Sequence, residues 1–290
     1  MKYKLFRSCL LVFTVLYSVV ISAQPKVSDN LQFDSLATRW DEGMPLGNGW
    51  LGELIWKKED KLRISLDRVD LWDDRPMPKI GQLKFKWVVS QVNKGQYDTV
   101  QKIGDAPYDN NPAPTKIPAA ALEFNKNAFG KVISNVLDIK KALSTIKFEN
   151  GVVMYNYVHA TDHVGYFSFE NSSNSRSPIN VNDCIPQLMI PDYNSSEKNA
   201  DDNSHGGEGL QTLGYKKGTI TKTTNSIRYH QPTWNGNYYE VLVQWQKVSP
   251  NEVIGSWTIS NNKKAFLSPI KEDARELPGW QSHINWWYHF

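Results

Sequence analysis

MPLGNGWLGELIW, residues 44–56, is the stretch that decides the fold of this chain, and LRISLDRVDLWDDRP follows it at residues 62–76. Three glycines surround Asn48, a composition that suits a turn with unusual backbone angles. Residues 51–56 and 62–66, which come after this turn, have the composition of two short strands. The stretch therefore predicts a tight turn that opens a β-structure.

Strand patterns return after residue 119 and continue to residue 259, with Asn-Gly turns at 150–151 and 235–236. Asn-Gly between such runs is the strongest short signal of a β-hairpin. A loose helical pattern over 87–105, a proline-rich loop over 105–118 and polar loops at 171–177 and 193–209 interrupt the series. The sequence predicts a mainly β fold, an antiparallel β-sandwich with a minor helix.

The composition limits the class of partner. The 290 residues are 40% hydrophobic and 12% aromatic, enough for one large domain or two small ones. The net charge of +3 comes from Lys2, Lys4 and Arg7, and without them 30 basic and 30 acidic residues remain. Because phosphate binding needs a concentrated basic surface, this balance argues against nucleic acid as a partner.

Residues 1–23 have the pattern of a secretory signal peptide: a basic start, an apolar run over 9–21 and small residues at Ser22 and Ala23. A membrane anchor is the alternative, but the run is shorter than the ~20 apolar residues that span a bilayer. We expect an exported protein, periplasmic or extracellular, with no membrane span after signal cleavage. Cys184 is then the one cysteine left, and we interpret it as a structural thiol.

The last eleven residues, 280–290, predict the start of a helix, since Trp280, Ile284 and Trp287 have helical spacing. Four of the last five residues are aromatic. Chain termini are usually polar, because nothing covers them. Either these rings pack back on the sheet or the helix continues into a further segment, and we favour the second alternative.

A family resemblance rests on these motifs. Trp40 with residues 44–52, followed by ISLDRVDLW at 64–72, resembles the opening of glycoside hydrolase family 95, the alpha-L-fucosidase group, whose N-terminal domains are related to those of family 65. Residues 213–215, 239–243 and 283–290 are also similar to that group. The chain departs from better-known members at 67–70, where Asp-Arg-Val-Asp replaces Asn-Glu before Asp-Thr, so the fucosidase specificity is not carried over.

The resemblance implies a domain organisation. Such enzymes have an N-terminal β-supersandwich, a helical linker and an (α/α)6 barrel that holds the catalytic acid. By this resemblance residues 24–279 are the N-terminal domain and residues 280–290 start the linker to a barrel that this chain lacks. No catalytic residue, metal ligand or cofactor is therefore assigned, and whether the chain is itself an enzyme stays open.

Carbohydrate is the expected ligand of the region after the opening turn. A Trp beside an Asp is a common sugar-binding pair, because the ring covers the sugar's C–H surface and the acid accepts hydroxyl hydrogen bonds. The alternatives are that the rings fill the core or contact the missing barrel, and that the acids only pair with neighbouring arginines. The predicted substrate-binding residues are Trp50, Asp70, Trp72 and Asp73.

Two functions remain. The first is the non-catalytic N-terminal domain of a secreted glycoside hydrolase acting on polysaccharide or glycan side chains, with a C-terminal catalytic barrel as its partner. The second is a stand-alone secreted β-sandwich that binds carbohydrate. His159 and His163, with Asp162 between them, suggest a metal site only weakly, and we expect a hairpin loop there instead.

Overall fold

A computed structural model describes residues 24–77, 79–106, 114–171, 180–194, 209–274 and 276–289. The predicted signal peptide at 1–23 lies outside these ranges. Most of the predicted loops at 171–177 and 193–209, and part of the loop at 105–118, also lie outside them.

Sixteen strands and three α-helices run through the described ranges. The strands are β1 (Leu31–Phe33), β2 (Met44–Gly47), β3 (Leu51–Lys58), β4 (Lys61–Arg68), β5 (Trp72–Asp73), β6 (Thr115–Lys116), β7 (Ala120–Asn125), β8 (Val132–Asp138), β9 (Leu143–Phe148), β10 (Val152–Val158), β11 (Gly165–Asn171), β12 (Gln187–Met189), β13 (Thr219–Lys222), β14 (Ser226–Pro232), β15 (Tyr238–Ser249) and β16 (Glu252–Asn261). The helices are α1 (Phe85–Asn93), α2 (Tyr97–Gly104) and α3 (Trp280–His289).

The strands form two large sheets. Nine strands pair in the order β1-β8-β9-β10-β11-β16-β15-β14-β13, and five pair in the order β12-β7-β4-β3-β2. β5 and β6 form a separate two-stranded ribbon. Neighbouring strands run antiparallel throughout. The predicted mainly β, antiparallel fold is confirmed.

The core lies between the two sheets, because alternate residues of each strand point to it. Phe124 of the five-stranded sheet meets Phe167 and Phe169 of the nine-stranded sheet, with ring centroids 5.3 and 5.1 Å apart. Trp56 is buried, as is Cys184, and burial raises the pKa of the Cys184 thiol to about 12. The protein is therefore a β-sandwich in which Cys184 is a structural thiol.

Both predicted Asn-Gly hairpins are present. Gly151 has φ +87° in the turn between β9 and β10, and Asn235 and Gly236 have φ 58° and 75° between β14 and β15. These left-handed angles cost glycine little and asparagine less than most residues. The local turn chemistry therefore determined the strand pairing at these positions.

The minor helix of the sequence prediction is two helices. α1 ends at Asn93 and α2 begins at Tyr97. Gly95, with φ +68°, lies between them. A left-handed glycine after a helix ends it, so the apolar periodicity over 87–105 could not continue as one element.

The predicted C-terminal helix is confirmed as α3. Its most buried residue is His283, whose ring lies 4.5 Å from that of Tyr157 on β10, and whose Nε2 donates to the Lys141 carbonyl (2.8 Å). Burial lowers the pKa of His283 to about 4, so the imidazole is neutral. α3 thus packs on the sandwich, although Trp286 and Tyr288 are exposed and Trp280 and Trp287 are only half-buried. None of the helices in the described ranges has the length and apolar character needed to cross a bilayer.

Candidate functional site

The side chain of Asn48 joins the opening turn to a distant loop. Its Oδ1 accepts hydrogen bonds from the backbone N–H groups of Trp50 (2.9 Å) and Leu51 (2.8 Å). Its Nδ2 donates to the carbonyls of His159 (2.8 Å) and Asp162 (3.0 Å). One amide therefore ties the β2–β3 turn of the smaller sheet to the β10–β11 loop of the larger one.

The glycines of the motif have different roles. Gly49 has φ +84°, which confirms the predicted unusual turn. Gly47 and Gly52 instead pair across β2 and β3, and a Cβ on Gly47 would lie 3.0 Å from the Leu51 carbonyl oxygen. Of these three glycines, only Gly49 has the left-handed backbone conformation. At Gly47 the constraint is space, because the Leu51 carbonyl lies too close for a larger side chain.

Trp50 extends from this turn to the surface. Its ring packs against the imidazole of His163 in the β10–β11 loop, with centroids 5.2 Å apart, and the Arg68 guanidinium lies 5.7 Å from the Trp50 centroid. Trp50 is 48% exposed, so much of the indole faces solvent. Since His163 belongs to the loop that Asn48 holds, the opening turn also positions this aromatic pair.

Arg68 holds Asp70 in a two-point ion pair. Arg68 Nε and Nη2 donate to Oδ1 (2.5 Å) and Oδ2 (3.1 Å) of Asp70, and Nη1 donates to the Ile259 carbonyl (3.0 Å). Partial burial by itself raises the pKa of Asp70, but the hydrogen bonds and charge of Arg68 outweigh burial and hold that pKa below its usual value. Asp70 is therefore a carboxylate acceptor at neutral pH, and the arginine pairing that the sequence left open is present.

A groove of about 780 Å³ opens beside this ion pair. Its wall includes the β10–β11 loop, β16 and the segment that follows β16, residues 263–268. Trp50 and His163 line one side and Phe266, 77% exposed, lies on that later segment. The volume falls in the range of small-molecule sites.

Trp72 lies on a second, smaller depression of about 150 Å³. Its ring is 53% exposed, and its indole N–H donates to the Val69 carbonyl (3.0 Å). Asp70 and Asn261 line both depressions, and the Asn261 side chain donates to the Asp70 carbonyl (2.9 Å). The structure therefore brings three of the four predicted residues, Trp50, Asp70 and Trp72, onto one continuous surface.

Asp73 does not belong to that surface. It is 1% exposed, and its carboxylate accepts hydrogen bonds from the guanidinium of Arg75 (2.5 to 3.0 Å) and the hydroxyl of Tyr215 (2.7 Å). Burial raises its pKa, but these donors outweigh burial and lower it overall. Asp73 anchors the loop after β5 in the interior, so its expected contact with a sugar is not available in this structure.

Glu53 is a carboxyl group that the sequence reasoning missed. It lies in β3 with Leu51 and Ile55 on the core face, and its Oε2 accepts a hydrogen bond from the Trp257 indole (3.2 Å). Burial raises its pKa to about 8. The alternation of Leu51, Glu53 and Ile55 is the signal that indicates its inward position.

A family model described as glycosyl hydrolase family 65, N-terminal domain, matches residues 31–230, more than half of the chain. The chain belongs to that family. No curated protein matched the sequence.

The family 65 N-terminal domain match covers Trp50, Asp70, Trp72 and His163, whereas Phe266 lies beyond it. It confirms the relationship to glycoside hydrolase N-terminal domains, while the family 95 assignment stays a prediction. Residues 159–163 lie in the predicted hairpin loop, whereas the contact of His163 with Trp50 was not predicted. Within the described ranges, no three His, Cys, Asp or Glu side chains are grouped to hold a metal ion.

Replacing Asn48 by alanine should lower the free energy of unfolding by about 2–3 kcal/mol, because it removes four hydrogen bonds and leaves backbone groups without partners. Urea denaturation followed by Trp fluorescence measures this. Asn127→Ala is the matched control, because its amide makes an exposed hydrogen bond to Asp60 (3.1 Å) and should change stability by less than about 0.5 kcal/mol. Equal stabilities of the two variants would show that Asn48 does not couple the sheets energetically.

Proposed function

We propose that this chain is the non-catalytic N-terminal domain of an exported glycoside hydrolase related to family 95, and that its surface at Trp50, Asp70 and Trp72 binds carbohydrate. The observation that carries the binding proposal is that two half-exposed indole rings, Trp50 and Trp72, line two depressions that share the ionised carboxylate of Asp70. Indole faces cover sugar C–H surfaces, and a carboxylate accepts hydroxyl hydrogen bonds. The family match supports the glycosidase context.

The electrostatics support a binding role over a catalytic one. Glycoside hydrolysis needs one carboxylic acid that keeps a proton and one carboxylate, facing the same sugar. Asp70 has a lowered pKa and gives no proton at neutral pH. Glu53 has a raised pKa but lies 4% exposed in the core, bonded to an indole. Asp70 can therefore accept a hydrogen bond from a sugar in the groove, but neither Asp70 nor Glu53 can act there as a general acid.

Export and the catalytic partner are supported by sequence features. The pattern of residues 1–23, a basic start followed by an apolar run and small residues, favours export from the cytoplasm. The aromatic helix α3 presents Trp286 and Tyr288, 38% and 42% exposed, as a surface for a following (α/α)6 barrel. A stand-alone carbohydrate-binding protein is the alternative, and the coding sequence after Phe290 distinguishes the two.

The test is carbohydrate binding by the purified chain. A glycan array of cell-wall and host oligosaccharides identifies the best ligand, and calorimetry with that oligosaccharide gives its Kd. Trp50→Ala and Trp72→Ala should each weaken binding roughly ten-fold while the melting temperature changes little, since both rings are half exposed. If either variant fails to fold, the ring it lacks stabilises the fold, which contradicts its proposed role in binding.

Phe33→Ala is the matched control for these variants. Phe33 is 54% exposed on β1, at the far edge of the nine-stranded sheet from the groove. Its removal should leave the Kd unchanged. If no oligosaccharide binds, or if all three variants bind equally well, the surface is not a carbohydrate site.

A further inference from the structure

The hydroxyl groups on the wall of the groove are already hydrogen-bonded within the protein. The hydroxyls of Thr258 and Ser260 already donate to the carbonyls of His163 (2.6 Å) and Lys263 (2.5 Å). The Ser256 hydroxyl accepts from Gln244 (3.1 Å). Each of these hydroxyls already has a partner within the protein, so it contributes less to ligand recognition.

His163 presents a donor to the groove. Its Nδ1 lies 3.4 Å from Arg68 Nη1, and because a guanidinium can only donate, Nδ1 is the acceptor. The imidazole proton then lies on Nε2, and the His163 side chain is exposed on the wall of the groove. Burial, and then the charge of Arg68, lower the pKa of His163, so the ring is a neutral donor at neutral pH.

Lys263 and Lys264 supply positive charge on the wall of the groove. Both are exposed, and neither ammonium group has an ion-pair partner among the described residues. Lys263 lies close enough to His163 for its charge to affect that imidazole. Two ammonium groups without an ion-pair partner among the described residues therefore lie on the same groove wall as His163.

The acids of the groove do not cancel these charges. Asp70 is neutralised by its two-point pair with Arg68. Asp162 is the other acidic side chain on the wall, and its Oδ2 lies 3.3 Å from His159 Nδ1, in the loop that Asn48 holds. Because only Asp162 opposes the charges of Lys263 and Lys264, the groove wall has a net positive charge. The chain after residue 23 as a whole is formally neutral.

We infer that the groove binds a carbohydrate with an anionic substituent, a uronate carboxylate or a sulfate ester, with a sugar ring on Trp50 and the anion on Lys263, Lys264 and His163. This inference rests on the proposed carbohydrate-binding function. Charge-assisted hydrogen bonds from ammonium groups to carboxylate or sulfate oxygens are shorter and stronger than neutral ones. The exposed ring of Phe266, on the same segment as the lysines, provides a second apolar contact.

The experiment compares four probes by calorimetry on the purified chain: a galacturonate tetrasaccharide, the galactose tetrasaccharide of the same linkage, a sulfated galactan oligosaccharide and poly-L-glutamate. We expect at least one of the two anionic oligosaccharides to bind about five- to twenty-fold more tightly than the neutral one at about 50 mM NaCl, and the difference to shrink at about 500 mM. Whichever anionic probe binds more tightly distinguishes carboxylate from sulfate recognition. Poly-L-glutamate should bind weakly, because it offers no ring for Trp50.

The double variant Lys263→Gln, Lys264→Gln should abolish this preference and leave binding of the neutral tetrasaccharide unchanged. The control variant, Lys217→Gln with Lys222→Gln, removes two exposed lysines at β13, three strands from β16, and should keep the preference.

Each other outcome overturns the inference in a recognisable way. Equal binding of anionic and neutral oligosaccharides rejects the anionic ligand and keeps the carbohydrate site. Poly-L-glutamate binding as tightly as the anionic sugars shows general attraction of polyanions. A preference that survives in the double variant rejects the two lysines as its cause. Absence of binding by every sugar rejects the proposed function as well.

Discussion

Replacing Gly255 by valine should lower the free energy of unfolding by at least about 3 kcal/mol. A Cβ on Gly255 would lie 2.0 Å from Cζ of Phe167, which is fully buried. The neighbouring pair has the same arrangement, since a Cβ on Gly165 would lie 2.2 Å from the Trp257 ring. Each glycine of β11 or β16 is the register partner of an aromatic residue on the other strand.

These two pairs explain why glycine occurs in the middle of two core strands. A glycine lets a ring lie across the backbone of the next strand, and any side chain there forces the ring out of a packed core. Because native proteins are stable by only about 5–15 kcal/mol, the variant should melt far below the wild type.

Thermal unfolding monitored by circular dichroism tests this expectation. Gly52→Ala is the matched control, because Gly52 also lies in a strand but its Cβ would meet nothing closer than the Leu46 carbonyl oxygen at 3.9 Å. If Gly255→Val does not fold, Gly255→Ala with and without Phe167→Leu provides the measurement, and the smaller side chain at 167 should recover part of the lost stability. A wild-type melting temperature for Gly255→Val would contradict the packing shown by the structure.

Replacing Glu53 by glutamine should stabilise the protein at pH 8 by about 3 kcal/mol or more and change it little below pH 5. The pKa of Glu53 rises from 4.5 to about 8, because burial disfavours its ionised form. Between these values the folded state keeps a proton that the unfolded state loses. Stability from this group is therefore complete below about pH 4.5 and is lost as the pH rises towards 8. Glutamine keeps an oxygen for the Trp257 indole and has no charge to bury.

The measurement is urea denaturation of both proteins from about pH 4.5 to about pH 8.5, and the informative quantity is their difference at each pH. This difference should grow with pH and level off near pH 8. Glu240→Gln is the control, because it should change the free energy of unfolding in the opposite direction. Burial raises the pKa of Glu240, but the Ala265 N–H, His230 and Arg228 outweigh burial and lower it, so this variant should lose stability at neutral pH. A constant difference between wild type and Glu53→Gln would mean that Glu53 is ionised in the folded protein.

Local patterns predicted the fold class well. The Asn-Gly turns, the strand alternation and the spacing of Trp280, Ile284 and Trp287 all describe interactions between near neighbours in the chain, and each prediction is confirmed. The single helix over 87–105 was wrong because the apolar periodicity is continuous across Gly95, whereas the backbone is not. The left-handed backbone of Gly95 ends α1, although the apolar pattern continues on both sides of this glycine.

The candidate site was predictable only in part. Trp50, Asp70 and Trp72 lie together on the surface because they flank one strand pair, whereas Asp73, next to Trp72, faces inward. Successive strand residues point to opposite faces, so a two-residue strand places adjacent side chains in different environments. His163, Lys263 and Phe266 come from loops far along the chain, and no local pattern predicts that they line one groove with Trp50.

The opening stretch MPLGNGWLGELIW by itself determined the turn, the strands that follow it and the family resemblance, since these depend on backbone angles and on side-chain alternation. Tertiary structure alone decided what the turn does. It placed the Asn48 amide against the β10–β11 loop, 111 residues away in sequence, and so brought His163 to Trp50. Contacts of this kind arise when two sheets pack face to face, and their geometry is set by the whole core and not by any single segment.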